Sequence, residues 1–102
     1  MDEVKNIAFD IILYAGNGKS CSMEAIREAK KGNFQRSEEL LKEASEELTK
    51  AHKYQIRLIR NDVRGETIPL DMLLIHSQDH LMTAMTVRDL AAEIIELYKT
   101  RN

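Results

Sequence analysis

The chain has 102 residues, of which 43% are hydrophobic and 31% charged, and its formal net charge is −2. This composition is typical of a globular protein, and the length corresponds to a single domain covering residues 1–102. Acidic and basic residues are interleaved, so neither nucleic-acid binding nor attraction to an anionic membrane is expected. The longest apolar runs fall far short of the ~20 residues of a membrane span, no signal peptide is recognised, and there is one cysteine. Together these features predict a cytoplasmic protein that does not insert into the membrane.

Three segments rich in Ala, Leu, Glu and Lys predict an all-α protein, and no segment alternates as a strand would. The predicted helices cover about residues 2–31, 33–64 and 70–100. Gly32 and the segment "RGETIPLD" separate them, Asn33 is the expected N-cap of the second helix, and Pro69 suits the first turn of the third. Short connections favour antiparallel neighbours, which predicts an up-down-up three-helix bundle.

The first helix contains "GNGKS" at residues 16–20, which resembles the end of a phosphate-binding loop. That motif requires a glycine where Leu13 stands and a strand before it, whereas the preceding residues have helical spacing. Nucleotide binding is therefore not expected, and the two glycines are predicted to allow a close helix approach or a kink. Cys21 lies among small residues, which favours a packing role over a redox role.

The second and third helices differ in how much apolar surface they carry. The second has one apolar stripe, formed by Phe34, Leu41, Ala44, Leu48, Ala51 and Leu58. The third has a stripe of Leu73, His76, His80, Thr83, Val87, Leu90, Ile94 and Leu97, another of Leu70, Leu74, Ser77, Leu81, Ala84, Ala91, Ile95 and Tyr98, and a shorter one of Met72, Ile75, Asp79, Met82 and Thr86. A three-helix bundle buries one face of each helix, so the additional apolar surface of the third helix favours a homo-oligomer. The alternative is that these are scattered exposed apolar residues.

The segment "HSQDH" places His76 and His80 four residues apart with Asp79 between them. This order matches the inverted zinc-protease motif with Asp in place of Glu, and histidines at this spacing share a helix face. A catalytic zinc needs a third protein ligand, and His52 is the only other histidine. A hydrolytic zinc site is therefore disfavoured. A second interpretation is that the two histidines only pack in the core, although burying two imidazoles and a carboxylate together costs free energy.

The residues around the two histidines also resemble a known motif. The segment "IHSQDHLMTAM" resembles the signature "VHAQDHLMT" of the lactose/cellobiose-type IIA component of the bacterial sugar phosphotransferase system. The segment "YAGNGKSCSMEAI" is similar to the family's "AGnArSlameAl". The segment "KKGNFQRSEELLKEASEELTKAHKYQIRLI" is similar to its second helix with an Ala-His-x-x-Gln element, and "VRGE" to its second turn. The resemblance covers nearly the whole chain. It implies a three-helix bundle that assembles as a homotrimer.

The resemblance also implies a role for each residue of the motif. His76 matches the carrier histidine, which is phosphorylated on its tele nitrogen by HPr and passes the phosphoryl group to a cysteine of the IIB component. The implied process is uptake of a β-linked disaccharide or β-glucoside. Asp79 matches the acidic residue at the trimer axis, where the three copies share one divalent cation, taken as magnesium. Gln78 and His80 also match the motif and are assigned supporting roles. Because His80 lies one helical turn from His76, we infer from the spacing that it donates to a phosphoryl oxygen. Ser77, in place of alanine, and Cys21 depart from the pattern without touching His76 or Asp79.

Two other interpretations remain open at this point. One is a non-catalytic interaction protein whose histidines only pack, and the other is a metal-dependent hydrolase with zinc at His76 and His80.

Overall fold

The computed structural model describes residues 2–63, 65 and 71–101, which form three long helices. These are α1 (Asp2–Lys30), α2 (Phe34–Val63) and α3 (Met72–Thr100). The described ranges contain no strand, so the prediction of an all-helical chain is confirmed. Within those same ranges, no helix combines the length and the apolar character needed to cross a membrane.

The connection between α1 and α2 is a glycine-terminated helix end. Gly32 has φ +87°, its N–H donates to the carbonyl of Ala29 at 3.0 Å, and the N–H of Asn33 donates to the carbonyl of Glu28 at 2.9 Å. This pair of bonds is a Schellman motif, which requires a residue that tolerates positive φ. Asn33 occupies the predicted N-cap position and its carbonyl accepts from the N–H of Ser37. Its side-chain amide, however, donates to the Glu28 carboxylate at 3.5 Å, across the connection.

Helix α3 begins at Met72, close to the predicted start at about residue 70. Asp71 is in an extended conformation, with φ −122° and ψ 174°, and its carboxylate accepts from the N–H of Leu74 at 2.9 Å. Asp71 is therefore the N-cap of α3, and Met72 is its first helical residue. The predictions that place Pro69 and Leu70 in the first turn of the third helix, and Arg64 and Glu66 in the turn before it, concern residues outside the described ranges.

Helix α1 packs extensively against both other helices, whereas α2 and α3 contact each other least. The core divides into two clusters along the bundle. One contains Ile7, Ile11, Ala15, Leu48, Ala51, Leu58, Leu81 and Ala84, and the other contains Ala25, Ala29, Leu40, Leu41, Ala91 and Ile95. The predicted stripe of α2 is confirmed. Phe34 is half-buried against the second cluster, and the other five members are buried, namely Leu41, Ala44, Leu48, Ala51 and Leu58.

The two glycines of the "GNGKS" segment lie inside α1, so a phosphate-binding loop does not form there. A Cβ added to Gly18 would lie 2.7 Å from both Cγ and Cδ2 of Leu48 and 3.3 Å from the carbonyl oxygen of Ala44. A Cβ added to Gly16 would meet nothing within 4 Å. Of the two predicted alternatives, a close helix approach or a kink, the close approach is confirmed at Gly18, and Gly16 has no such neighbour.

The structure selects which stripe of α3 is buried. Ser77, Leu81, Ala84, Ala91 and Ile95 are buried, and all five belong to the second predicted stripe. The Met72 stripe faces outward, with Met72 itself 77% exposed, and Leu97 of the first stripe is 68% exposed. Helix α3 thus carries apolar surface that this single chain does not cover. The exposed large hydrophobic residues of α3 are Met72, Ile75, Met82, Met85, Leu90 and Leu97.

Candidate functional site

His76 and His80 form a contacting pair on α3. Their Nε2 atoms are 3.0 Å apart, and the two rings stand at 88° with their centroids separated by 4.3 Å. His76 is exposed and His80 is half-buried. Only one proton can lie between the two nitrogens, so one Nε2 donates and the other accepts with its lone pair. The helical spacing of four residues therefore lets one imidazole hydrogen-bond a ring nitrogen of the other.

Asp79 lies on the exposed face of α3 beside Met72, Ile75 and Met82. Its side chain forms no ion pair with the lysines and arginines that the structure describes. The described part of the chain also contains no group of three histidine, cysteine or acidic side chains able to hold a metal ion. One chain alone therefore offers only a single carboxylate here. A cation at Asp79 fits the chemistry of the residue only if further copies supply more oxygen ligands.

Gln78 lies on a different side of α3 from His76. Residues two apart on a helix differ by about 200° in direction, and the Gln78 side chain accepts from Nε2 of Gln55 on α2 at 2.8 Å. Gln55 Oε1 in turn lies 3.1 Å from Nδ1 of His52, and Gln78 Nε2 lies 3.4 Å from Oγ of Ser77. The structure thus brings His76 and His80 together and places Gln78 in a separate chain of hydrogen bonds that joins α2 to α3.

The same side of α3 borders a groove that the sequence analysis missed. It encloses about 290 Å³, and its lining residues are Ser45, Leu48, Thr49, His52, Met85, Arg88 and Asp89. Nε of Arg88 donates to Oγ of Ser45 at 2.9 Å, and Nη1 of Arg88 lies 3.3 Å from the Asp89 carboxylate. The guanidinium is therefore already engaged within the protein. The only sequence signal for this region is the Ala-His-x-x-Gln element at residues 51–55.

Cys21 is half-buried on α1 and its environment disfavours the thiolate. Burial raises the pKa of the thiol above its ordinary value, and the carboxylates of Glu43, Glu24 and Glu47 raise the pKa further. The thiolate is the nucleophilic form of cysteine, so this environment lowers reactivity. The local chemistry agrees with the packing role predicted from the sequence.

Comparison with known proteins matches this arrangement to one family. The family model described as "PTS system, Lactose/Cellobiose specific IIA subunit" matches residues 6–99. The lichenan-specific phosphotransferase enzyme IIA component of Bacillus subtilis (strain 168) is 53% identical over 98 residues, covering 96% of this chain and 89% of that protein. The lactose-specific EIIA component of Staphylococcus epidermidis is 43% identical, covering 96% and 94%.

Solved structures agree with the sequence matches. The cellobiose-specific enzyme IIA from Bacillus anthracis has a TM-score of 0.95 at 45% identity and covers 98% of this chain and 92% of that chain. The IIA(Chitobiose) chain of the Escherichia coli IIA(Chitobiose)-HPr complex has a TM-score of 0.83 at 30% identity and covers 95% and 94%. A family match across most of the chain, close relatives of nearly equal length and a shared three-helix structure lead to one conclusion. The chain belongs to the lactose/cellobiose-specific IIA family of the sugar phosphotransferase system.

Proposed function

We propose that this chain is a cytoplasmic phosphoryl carrier that accepts a phosphoryl group from phospho-HPr on Nε2 of His76 and delivers it to a cysteine of the IIB component. The observation that carries the proposal is the His76–His80 pair, with Nε2 atoms 3.0 Å apart on an exposed helix face. Family membership makes a phosphotransferase role the expected use of such a pair. HPr is supported as the donor by the structural similarity to a IIA(Chitobiose) that was solved in complex with HPr.

The transfer uses the lone pair of a neutral imidazole. The lone pair on Nε2 of His76 attacks phosphorus, the P–N bond to the HPr histidine breaks, and the departing imidazole keeps the bonding electrons. In the second transfer a thiolate sulfur of IIB attacks the same phosphorus, and the P–Nε2 bond to His76 breaks. Exposure of His76 allows both partners to reach it.

His80 has a supporting role in this proposal. When the hydrogen bond between the two Nε2 atoms opens, the N–H of His80 is one helical turn from the new phosphoryl group and can donate to one of its oxygens. Gln78 is assigned a different role, because its amide is bonded to Gln55. It supports the site by holding α3 against α2 and makes no contact with the phosphoryl group.

We also propose an up-down-up bundle that assembles as a homotrimer. The two core clusters support the topology, since the first half of α1 packs with the second half of α2 and the first half of α3. The outward stripe that includes Met72 and Met82 supports assembly through α3, because a monomer would leave it in water. In such a trimer three Asp79 carboxylates would meet. A shared divalent cation, taken as magnesium, would supply the positive charge that offsets their repulsion.

The transported substrate is proposed to be a β-linked disaccharide or β-glucoside. The support comes from relatives named for lichenan, lactose and cellobiose, which share 53% to 40% of their residues with this chain. The competing interpretation, an interaction protein whose histidines only pack, predicts buried imidazoles. The exposure of His76 weighs against it.

The test is phosphoryl transfer from purified phospho-HPr, followed by native mass spectrometry at alkaline pH because phosphohistidine is labile in acid. The wild-type protein should gain one phosphoryl group per chain. His76→Gln should gain none while keeping its helix content by circular dichroism, and His52→Gln is the matched control that should be phosphorylated. Phosphorylation of His76→Gln would move the site to another histidine, and no phosphorylation of the wild type would support the packing interpretation.

A further inference from the structure

The two Nε2 atoms of His76 and His80 converge on one point at the protein surface. They lie 3.0 Å apart, the two rings stand at 88° to each other, and His76 is exposed while His80 is half-buried. We propose that this pair is a chelating site for a divalent transition-metal ion such as Zn²⁺, Ni²⁺ or Cu²⁺, and that an ion bound there blocks the phosphoryl-accepting nitrogen.

The geometry of the pair is close to that of two ligands of one ion. Zinc–nitrogen bonds are about 2.0–2.1 Å long, so two tetrahedral ligands are separated by about 3.3 Å. Small rotations of the two side chains would open the present separation of 3.0 Å to that value. The spacing of four residues on a continuous helix already holds both imidazoles on one face, so little ordering is needed.

The chemistry of the ligands determines which ions bind. Imidazole nitrogen suits zinc, nickel and copper, whereas magnesium prefers oxygen ligands. This site is therefore distinct from the Asp79 carboxylate, and magnesium should not compete for it. No third histidine, cysteine or acidic side chain in the described ranges completes a set of three, so water would fill the remaining positions. Catalytic zinc sites use three protein ligands, so we expect inhibition here and no hydrolase activity.

A bound ion would inhibit phosphoryl transfer because it accepts the electron pair that attacks phosphorus. This step rests on the proposed function. The same lone pair on Nε2 of His76 can bind either phosphorus or a metal ion. A bound ion also engages Nε2 of His80, which removes its N–H from the phosphoryl group. Metal binding and phosphorylation of His76 are therefore mutually exclusive.

The first experiment measures metal binding without any phosphoryl chemistry. The full chain, freed of transition metals with a chelator and then returned to buffer containing Mg²⁺, is titrated with Zn²⁺ by isothermal calorimetry. We expect one ion per chain, and His76→Gln and His80→Gln should each weaken binding by at least about tenfold because one imidazole remains. His52→Gln is the matched control, since His52 is exposed on α2 and bonds to Gln55. Mg²⁺ should leave the Zn²⁺ titration unchanged.

Two results would overturn the metal site. One is the absence of saturable Zn²⁺ binding, and the other is wild-type affinity in both His76→Gln and His80→Gln. Circular dichroism of each variant distinguishes a lost ligand from a lost fold. NMR provides a second measurement that does not depend on a substitution, because Ni²⁺ bound at this site should shift the ring resonances of His76 and His80.

The second experiment measures the block. Metal-free phospho-HPr is mixed with the chain in a single-turnover experiment, with and without saturating Zn²⁺, and the rate of phosphoryl transfer to the chain is measured. Zinc should abolish transfer and a chelator should restore it, whereas an unchanged rate with zinc bound refutes the block. If the metal-free chain never accepts a phosphoryl group, the proposed function fails while the calorimetric result still decides the metal site.

Discussion

Substitution of Gly18 by alanine provides a quantitative test of the α1–α2 packing. Alanine is favoured over glycine inside a helix by about 1 kcal/mol, which would stabilise the protein if there were space for the methyl group. At Gly18 that methyl would lie 2.7 Å from Cγ and Cδ2 of Leu48, whereas carbon atoms in contact are normally about 3.5–4.0 Å apart. Leu48 is only 7% exposed, so its side chain has little room to move away.

The expected magnitude follows from these opposing terms. Forcing an extra methyl into a packed core costs about 1–3 kcal/mol, so the net change at Gly18 is a destabilisation of about 0–2 kcal/mol. Gly16→Ala is the matched control, because it lies in the same helix and its Cβ would meet nothing within 4 Å. The propensity gain cancels between the two variants. Gly18→Ala should therefore be less stable than Gly16→Ala by about 1–3 kcal/mol.

The assay is urea unfolding of both variants at one protomer concentration, with the oligomeric mass measured for each. Thermal unfolding is a second measurement of the same difference, because 1 kcal/mol shifts the Tm of a chain of this length by about 4–8 °C. Shortening the opposing side chain with Leu48→Ala should remove most of the penalty of Gly18→Ala, which a double-mutant cycle measures. Equal stability of Gly16→Ala and Gly18→Ala, or no coupling to Leu48, would refute the close approach.

Three further outcomes are expected. Cys21→Ala should fold and transfer phosphate as the wild type does, since the thiol is disfavoured as a nucleophile; a folded variant that fails in the phospho-HPr assay would contradict this. Asp79→Leu should keep or strengthen the proposed trimer and make its native mass insensitive to chelator. The substitution removes the repulsion between carboxylates, which is about 4 kcal/mol for two unit charges 4 Å apart at an effective dielectric near 20, and with it the need for a cation. A monomeric wild type, or an Asp79→Leu protein that dissociates, would refute the axial assignment. Glu47 has its pKa lowered, first by the hydrogen bond from Lys50 and also by Asn17, against the opposing effect of burial. Its stabilisation is therefore present above the unfolded pKa of about 4.3 and lost as pH falls through the lower folded value, so Glu47→Gln should lower stability at pH 7 by about 0.5 kcal/mol and little at pH 3. Urea unfolding at the two pH values measures this, and an equal effect at both would exclude the ionised carboxylate as the cause.

The candidate histidine pair could be predicted from the sequence because its geometry is local. Residues four apart on a helix are neighbours whatever the rest of the fold does, so the contact between His76 and His80 followed from spacing alone. Gln78 shows where motif membership is insufficient. It lies within the same five-residue segment, yet the helix directs it towards α2, where its partner Gln55 is 23 residues away in sequence. Only the packing of two helices brings those amides together.

The sequence by itself determined the three helices that the described residues form, the single apolar face of α2, and the apolar circumference of α3, which exceeds what one bundle covers. These properties depend on a period of 3.6 residues, which a single segment displays without its neighbours. The tertiary structure decided which stripe of α3 is buried, because α3 carries three stripes with apolar residues and packing against α1 and α2 covers the one with Leu81 and Ile95. It likewise separated Gly18, which faces Leu48, from Gly16, which faces open space. Burial and close approach are properties of pairs of helices, and the pattern within one helix does not contain them.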